Sequence, residues 1–379
     1  MRFIFILALM LLSYVGANVY LFARGFQSLP WTGARAVFAV LFVFAAVSLI
    51  AGFLLEDSLP ATLVSVVQHV GGTWLMLLIY LVPCVLIIDL IRLGDKLLHF
   101  LPDAVRSNPA TVFFGIFAAT IAVVVAGAVK FNNPSVTRVE IPTNKQIAKV
   151  PSIVVASDLH LGYTIGAGKL RDFVRLINSR NPDVVLLCGD VVDRSARPLE
   201  SEEMLSLLRE IKAPGGVYAV FGNHEYYGDR DRNAKLLEKA GIVLLRDSAV
   251  QLTGDIQLVG REDRSNRERK ALSEIMQGVD RGVDRDKFVI LLDHQPHDLD
   301  EARREGVDLQ FSGHTHYGQI WPLSLITEAI YEKPYGYLKK GETQYFVTSG
   351  LGLWGAWLRI GTCSEIVVPE IVVNNSIKQ

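Results

Sequence analysis

Ile153-Val154-Val155-Ala156-Ser157-Asp158-Leu159-His160 is an apolar run that closes on an acid and an imidazole one residue apart. Its first half has the length and β-branched character of a buried strand. Side chains alternate along a strand with period two, so Asp158 and His160 are expected on one side of it. A carboxylate beside an imidazole at the carboxyl end of a strand makes a corner for a metal ion. One such pair carries little weight. The same kind of strand end recurs further along the chain.

Val184-Val185-Leu186-Leu187-Cys188 runs into Gly189-Asp190-Val191-Val192-Asp193, and Val217 to Phe221 runs into Gly222-Asn223-His224-Glu225. Phe288 to Leu292 ends in Asp293-His294-Gln295-Pro296, and Val307 to Phe311 ends in Ser312-Gly313-His314-Thr315-His316. A glycine ahead of Asp190 lets the backbone come close to an ion, and that carboxylate can bridge two ions. Asn223 offers a neutral carbonyl oxygen. Between these strands, Lys169–Arg180, Glu200–Lys212 and Asp231–Ala240 read as helices. Ile242–Leu245, Ala249–Leu252 and Ile256–Val259 read as short strands. Strands alternating with helices point to α/β layers. Of the eight histidines, six lie outside the first third, and five of those sit at strand ends beside Asp, Asn or Gly. Scattered core or surface histidines would lack that bias. His297 falls outside the pattern and reads as structural or solvated. The charged stretch Arg261–Arg269, like Arg194 and Arg197, reads as a solvated surface.

The chain has 379 residues, 50% hydrophobic and 20% charged, with a net charge of −1. That balance supplies no basic field for nucleic acid. Cys84, Cys188 and Cys363 form no CxxC pair and read as free thiols. The apolar excess lies in the first third, in stretches of about 3–22, 36–55, 71–91 and 109–129. Each approaches the ~20 residues that cross a bilayer core. Residues 1–130 are therefore expected to form an all-α membrane domain of four helices. Residues 131–149 read as a polar tether, and 150–379 as the catalytic domain. Arg24 and Arg35 follow the first span, and Arg92, Lys96 and Arg106 follow the third, whereas Glu56 and Asp57 follow the second. The positive-inside rule then puts the catalytic domain on the extracytoplasmic side of the membrane. Asp89 and Asp95, near a span end, read as solvated at the interface.

Asp158-x-His160, Gly189-Asp190-x-x-Asp193, Gly222-Asn223-His224-Glu225, His294 and Gly313-His314-x-His316 stand in the order found in the calcineurin-like metallophosphoesterases. The resemblance covers about Pro151 to Val372. The longer run Gly313–Ile320, with Ser349-Gly350-Leu351-Gly352, resembles the membrane-associated bacterial branch, which implies a bacterial cytoplasmic membrane. That branch usually has glycine where this chain has Tyr317. The family implies a four-layer sandwich of two mixed β-sheets flanked by helices. It implies one metal on Asp158, His160, Asp190 and His316 and a second on Asp190, Asn223, His294 and His314. His224 would act as general acid or phosphate contact, with Asp193 and Glu225 orienting the ligands.

Two ions about 3.5–4 Å apart clamp a phosphoryl group and generate a hydroxide for in-line attack. A mixed Asp, Asn and His set suits Mn, Fe or Zn better than Mg. The expected function is a membrane-anchored phosphohydrolase acting on a phosphoester or pyrophosphate. The short tether points to a lipid-linked substrate such as a phospholipid. Two alternatives stand beside it: a non-catalytic sensory protein on the same fold, and a phosphodiesterase acting on nucleotides or nucleic acid. The complete ligand set disfavours the first, and the lack of a basic, aromatic surface disfavours the second.

Overall fold

The computed structural model describes residues 2–29, 31–278 and 282–374. The chain divides into two compact units. One is built on the first 129 residues with Gly355–Trp357, the other on the remainder.

The first unit holds α1 (Arg2–Ser28), α2 (Thr32–Leu54), α3 (Ala61–Leu98), α4 (Asp103–Ser107) and the start of α5 (Pro109–Asn132). Among the described residues, four of these helices are long and apolar enough to cross a membrane. They are longer than the apolar stretches suggested, because helix continues through the polar flanks of each. Their aliphatic residues are widely exposed, Leu41 at 62% and Val40 at 70%, as expected for surfaces solvated by lipid. Where helices meet, small residues let them close: a side chain on Gly71 of α3 would lie 2.8 Å from Ser48 of α2. The unit's core gathers Leu21, Phe42, Trp74, Leu78 and Phe113. The two acids expected to be solvated have protein partners instead. Asp89 pairs with Arg24 at 2.7 Å, and Asp95 with Arg106 at 2.8 Å. Both carboxylates are largely withdrawn from solvent, at 19% and 6% side-chain exposure, and each is neutralised by an arginine.

The second unit places two six-stranded sheets face to face. In chain order the elements are β1 (Ser135–Thr143), β2 (Ile153–Ala156), α6 (Ala167–Asn178), β3 (Val184–Cys188), α7 (Glu202–Arg209), β4 (Val217–Val220), α8 (Asn223–Tyr227), α9 (Arg230–Lys239) and β5 (Val243–Leu244). There follow β6 (Ser248–Gln251), β7 (Ile256–Gly260), α10 (Leu272–Gln277), β8 (Phe288–Leu292), α11 (Leu299–Arg304), β9 (Leu309–Ser312), α12 (Ser324–Ile330), β10 (Gly336–Lys340), β11 (Thr343–Val347) and β12 (Glu365–Val373). The first sheet runs β1-β12-β2-β3-β4-β5 and the second β10-β11-β9-β8-β7-β6. Both are mixed: β2, β3, β4 and β5 are parallel, but β12 is antiparallel to β2. Likewise β7, β8, β9 and β11 are parallel, with antiparallel β6 and β10 at the edges. Val155, Leu186, Val220, Leu258, Ile290 and Phe311 interlock between the sheets in a single core. This is the expected sandwich of two mixed sheets flanked by helices.

The stretch read as a tether is part of the sheet. Ser135–Thr143 pairs in parallel with Glu365–Val373 over its whole length. Val136, Val139 and Ile141 fall near the period of two that a half-buried edge strand shows, and its polar partners mask the signal. Lys169, expected to open a helix, lies inside α6 and reaches Asn132 Oδ1 at 3.0 Å. The helix expected over Glu200–Lys212 is shorter, capped by Ser201, whose Oγ accepts from Met204 N.

Candidate metal centre

Five of the parallel strands, β2, β3, β4, β8 and β9, deliver their carboxyl ends to one rim, and each hands over one block of the pattern. The delivery differs from simple strand alternation. β2 stops at Ala156, so Asp158 and His160 lie in the loop beyond it. Asp158, His160, Asp190, His314 and His316 all have left-handed backbones, with φ between 48° and 70°. These are sparsely populated conformations for residues with a Cβ, and they turn each side chain back over the sheet edge. Hydrogen bonds between neighbouring loops hold them there. Asp158 N donates to Gly189 O at 3.0 Å, His160 N to Asp190 O at 2.9 Å, and Gly313 N to His294 O at 2.9 Å.

Glycines let the loops pack this closely. At φ +84° Gly189 lies against the His294 ring, where an added Cβ would fall 2.6 Å from Cγ. A Cβ on Gly222 would lie 2.7 Å from Asp190 Cγ, and one on Gly313 would overlap Asp158 and Ser157.

The predicted side chains converge. Ligand atoms lie within 4.8 Å of one another in three overlapping groups: Asp158, His160 and His316; His160, Asp190 and His224; and Asp190, His294 and His314. His160 Nε2 faces His316 Nε2 at 3.1 Å, and His316 Nε2 lies 3.4 Å from Asp158 Oδ1. Asp190 Oδ2 lies 3.1 Å from His294 Nε2 and 3.8 Å from His160 Nε2. An ion with bonds of about 2.1 Å holds its ligand atoms about 3.0–3.4 Å apart, so these spacings suit one. The orphaned atoms agree. Among the described residues, His294 Nε2 is buried with no hydrogen-bond partner, and its Nδ1 donates to Cys188 O at 2.8 Å. That second bond fixes the tautomer that leaves Nε2 to a metal. Asn223 completes the ring: its Nδ2 donates to Tyr227 Oη at 3.0 Å, which leaves Oδ1 facing His314 Nδ1 at 2.7 Å. The chain therefore fits a two-metal centre.

The charges here are strongly coupled. Burial works against ionised Asp190, but the charges of His294, His160 and His224 outweigh it and hold the carboxyl well below its usual range. His294 is pushed up well above the ordinary imidazole value: burial opposes this, but the charges of Asp190 and Asp158 prevail. A proton on Nε2 and a divalent cation are alternative answers to the same negative field. His316 is driven well down by burial and by the charge of His160, and His314 is lowered to about 4 by burial and the charge of His294. Both imidazoles are thus neutral, as ligands must be.

Glu225 is buried and Asp193 half-buried, so neither is a plain surface acid. Asp193 Oδ1 lies 2.7 Å from His224 Nδ1 and 3.6 Å from His160 Nδ1. Burial disfavours charge on His224, yet the hydrogen bond to Asp193 and the nearby carboxylates raise its pKa overall. Glu225 accepts from the backbone N–H groups of Gly222 at 2.7 Å, Val192 at 2.8 Å and Asp190 at 3.2 Å. It therefore ties two loops together. Burial and the charge of Asp190 push it up to about 8.

The Arg261–Arg269 stretch is not simply solvated. Arg261 is 5% exposed, Glu262 4% and Asp263 0%. Arg261 pairs with Asp293 at 3.1 Å and Glu301 at 2.8 Å, and Arg269 pairs with Asp293 at 2.5 Å. Asp263 takes both its oxygens to Gln295 Nε2, at 3.0 and 2.9 Å. The segment follows β7 directly, so its first residues enter the space beside His294. Arg359 was not signalled by any motif. It is 1% exposed and donates to Gly350 O, Gly352 O and His316 O at 3.1, 2.6 and 3.2 Å, which braces the loop behind His316. His297 stands outside the cluster, its ring 4.8 Å from that of Tyr331.

The model of the calcineurin-like phosphoesterase family matches residues 151–318. A transmembrane protein with metallophosphoesterase domain from Danio rerio is 32% identical over 373 residues, 91% of this chain and 82% of that one. A Bos taurus protein of the same description is 32% identical over 284 residues, 70% of this chain and 63% of its own. An uncharacterized metallophosphoesterase of Helicobacter pylori (strain J99) is 32% identical over 232 residues, 61% of this chain and 62% of that one. With the donor set assembled at one sheet edge and the similarity running through most of the chain, this protein belongs to the calcineurin-like metallophosphoesterases, a family of metal-dependent phosphohydrolases.

Proposed function

We propose that the protein is a membrane-anchored hydrolase of a lipid-linked phosphoester, with its catalytic unit on the extracytoplasmic side of the membrane. Asp158, His160, Asp190 and His316 would hold one divalent ion, and Asp190, Asn223, His294 and His314 the other, with Asp190 shared. Bound there, such ions neutralise phosphoryl oxygens and lower the pKa of water. The chain supplies the rest. Asp193 holds His224 through Nδ1 and sets the ring's orientation. Its Nε2 is then left to protonate the departing oxygen, and the raised pKa keeps that proton available near neutrality. Glu225 fixes the loops that carry Asp190 and Asn223, so these ligands keep their spacing during the reaction.

The observation that carries the lipid assignment is the apolar segment tied to the metal loop. Trp321, Leu325, Ile326 and Ile330 are 54–60% exposed, and α12 has no buried residue. Tyr317, next to His316, donates to Glu328 of α12 at 2.7 Å, and the Tyr331 ring that follows the helix lies 6.1 Å from that of His314. A large exposed apolar surface beside a polar site marks a place for an apolar partner. Acyl chains on the substrate are that partner.

The test compares a chromogenic phosphomonoester and phosphodiester with phosphatidic acid in mixed micelles, using the metal-loaded full-length protein. Ile326→Glu with Ile330→Glu should cut the rate on the lipid about tenfold and leave the small esters unaffected. Asp190→Asn should abolish all of them. Equal rates of the double variant and the parent on the lipid would sink the lipid assignment. Persistent turnover in Asp190→Asn would sink the two-metal reading.

A further inference from the structure

We propose that the helical unit carries a binding site for the phosphate of an anionic phospholipid, in a cleft between α1, α3 and α5. The site is independent of the metal centre and of the phosphoesterase reading.

The cleft has a volume of about 160 Å³, and Arg24, Gln27, Ser28, Asp89 and Arg92 form its polar wall. Two guanidinium groups face one carboxylate. Asp89 is already committed: Arg24 Nε lies 2.7 Å from it and Tyr20 Oη donates to it at 2.6 Å. Among the described residues, no carboxylate pairs with Arg92. Its Nη2 donates to Val105 O at 3.2 Å, but its Nε is buried without a hydrogen-bond partner among them. A buried donor on a cation that faces no anion of its own calls for an anionic acceptor.

The other wall is apolar and continues. Ile88 and Ile116 line this cleft and also a second groove of about 400 Å³, which runs between α3 and α5 to Thr120 and Val123. A charged mouth that leads into an apolar groove matches a phosphate diester with acyl chains. The height also fits. α1 ends at Ser28, α3 ends at Leu98 and α5 begins at Pro109. Arg24 and Arg92 thus lie within about 10 Å of their helix ends at 1.5 Å per residue. That is where lipid headgroups sit, and basic pockets between membrane helices there bind anionic headgroups.

The experiment is native mass spectrometry of the full-length protein in a neutral detergent. The probes are phosphatidylglycerol and phosphatidylcholine with the same acyl chains, with inorganic phosphate as competitor. Phosphatidylglycerol should be retained about tenfold better, the order expected for one charge-assisted contact. Arg92→Gln should erase that preference, and Asp89→Asn, which removes the counter-charge, should increase it. Val112→Trp fills the cleft without altering charge and should reduce retention. Equal retention of the two lipids by the parent protein overturns the proposal without recourse to any variant. Unchanged preference in Arg92→Gln overturns it too. Displacement of the lipid by millimolar inorganic phosphate would assign the site to a free anion instead and end the lipid reading.

Discussion

A single methyl group at Gly189 separates the packing role of that residue from its backbone role. Gly189 and Gly241 have nearly the same backbone, with φ +84° and +82°. An alanine Cβ at Gly241 meets nothing within 4 Å, whereas at Gly189 it overlaps His294 Nδ1 and lies 2.6 and 2.8 Å from Cγ and Cβ. Both substitutions carry the left-handed penalty of about 1–2 kcal/mol, partly offset by a stiffer unfolded chain. Only Gly189→Ala adds overpacking, about 1–3 kcal/mol. It also breaks the bond from His294 Nδ1 to Cys188 O, worth about 1 kcal/mol. Gly241→Ala should therefore lower the melting temperature by about 2–4 °C, and Gly189→Ala by about 8–15 °C, at roughly 2–4 °C per kcal/mol for a unit of this size. The assay is a thermal melt of the full-length protein, paired with metal analysis by inductively coupled plasma mass spectrometry. Gly189→Ala should lose the ion proposed for His294 and His314 and keep most of the other. If the two variants melt together and hold the same metal, the packing argument at His294 is wrong.

Three further outcomes follow from the site and its surroundings. Arg261→Met takes the arginine from half-buried Glu301 and leaves buried Asp293 with Arg269 alone, so urea denaturation should register a loss of about 3 kcal/mol. Glu301 is disfavoured as a charge by burial, but its bonds from Arg261 and the Leu272 N–H hold its pKa below the ordinary value. A depressed carboxyl contributes stability above its unfolded pKa of about 4.3 and loses it as pH falls through the folded value; Glu301→Gln should therefore narrow the difference in urea midpoint between pH 7 and pH 3, and an unchanged difference would count against the pairing. Tyr317 sits at φ +48° where glycine fits, held by its stack on Tyr335 at 5.1 Å. Tyr317→Gly relieves about 1–2 kcal/mol of strain and gives up a stack of about 0.5–1.5, so its melting temperature should stay within a few degrees while the rates on bulky and small esters change relative to each other.

The sequence made the site more legible than the scaffold around it. Each candidate ligand follows an apolar run dense enough to read as a strand, and the five runs are five of the parallel strands of the two sheets. What it hid has physical reasons. β1 looked like a tether because an edge strand half open to solvent carries Thr137, Arg138 and Glu140 between its apolar residues. Arg261–Asp263 looked solvated because charge runs usually are. The partners of Arg261, Asp293 and Glu301, lie tens of residues away, and no local pattern connects them to it. Arg359 was invisible for the same reason, since its carbonyl partners are backbone atoms and carry no residue code. Glu225 was picked out by its place in a motif, yet its job is to tie loop backbones.

Strand alternation was the right clue for the wrong geometry. Had Asp158 and His160 continued β2, their side chains would stand beside the sheet, not over its edge. Five site residues instead adopt left-handed turns, at a cost on the order of 1–2 kcal/mol each for side chains with a Cβ. Such strain persists only where surrounding structure over-determines it. Here the loops determine one another: the β2 loop hangs on the β3 loop through Asp158 N and His160 N, and the β9 loop hangs on the β8 loop through Gly313 N. Asp158 closes the circuit by accepting from His314 N at 3.0 Å, and Asp190 by accepting from His224 N at 2.8 Å. The first carboxylate thus spans the two sheets, and the second joins neighbouring strands. A bound ion adds one more tie to the same circuit, so site formation and loop order are a single equilibrium. On that reasoning, chelation should lower the melting temperature of this unit and loosen all five loops together, as hydrogen exchange at Asp158, Asp190, His224 and His314 would record. Loosening confined to the loops of one sheet would mean that the hydrogen bonds between the sheets do not couple them.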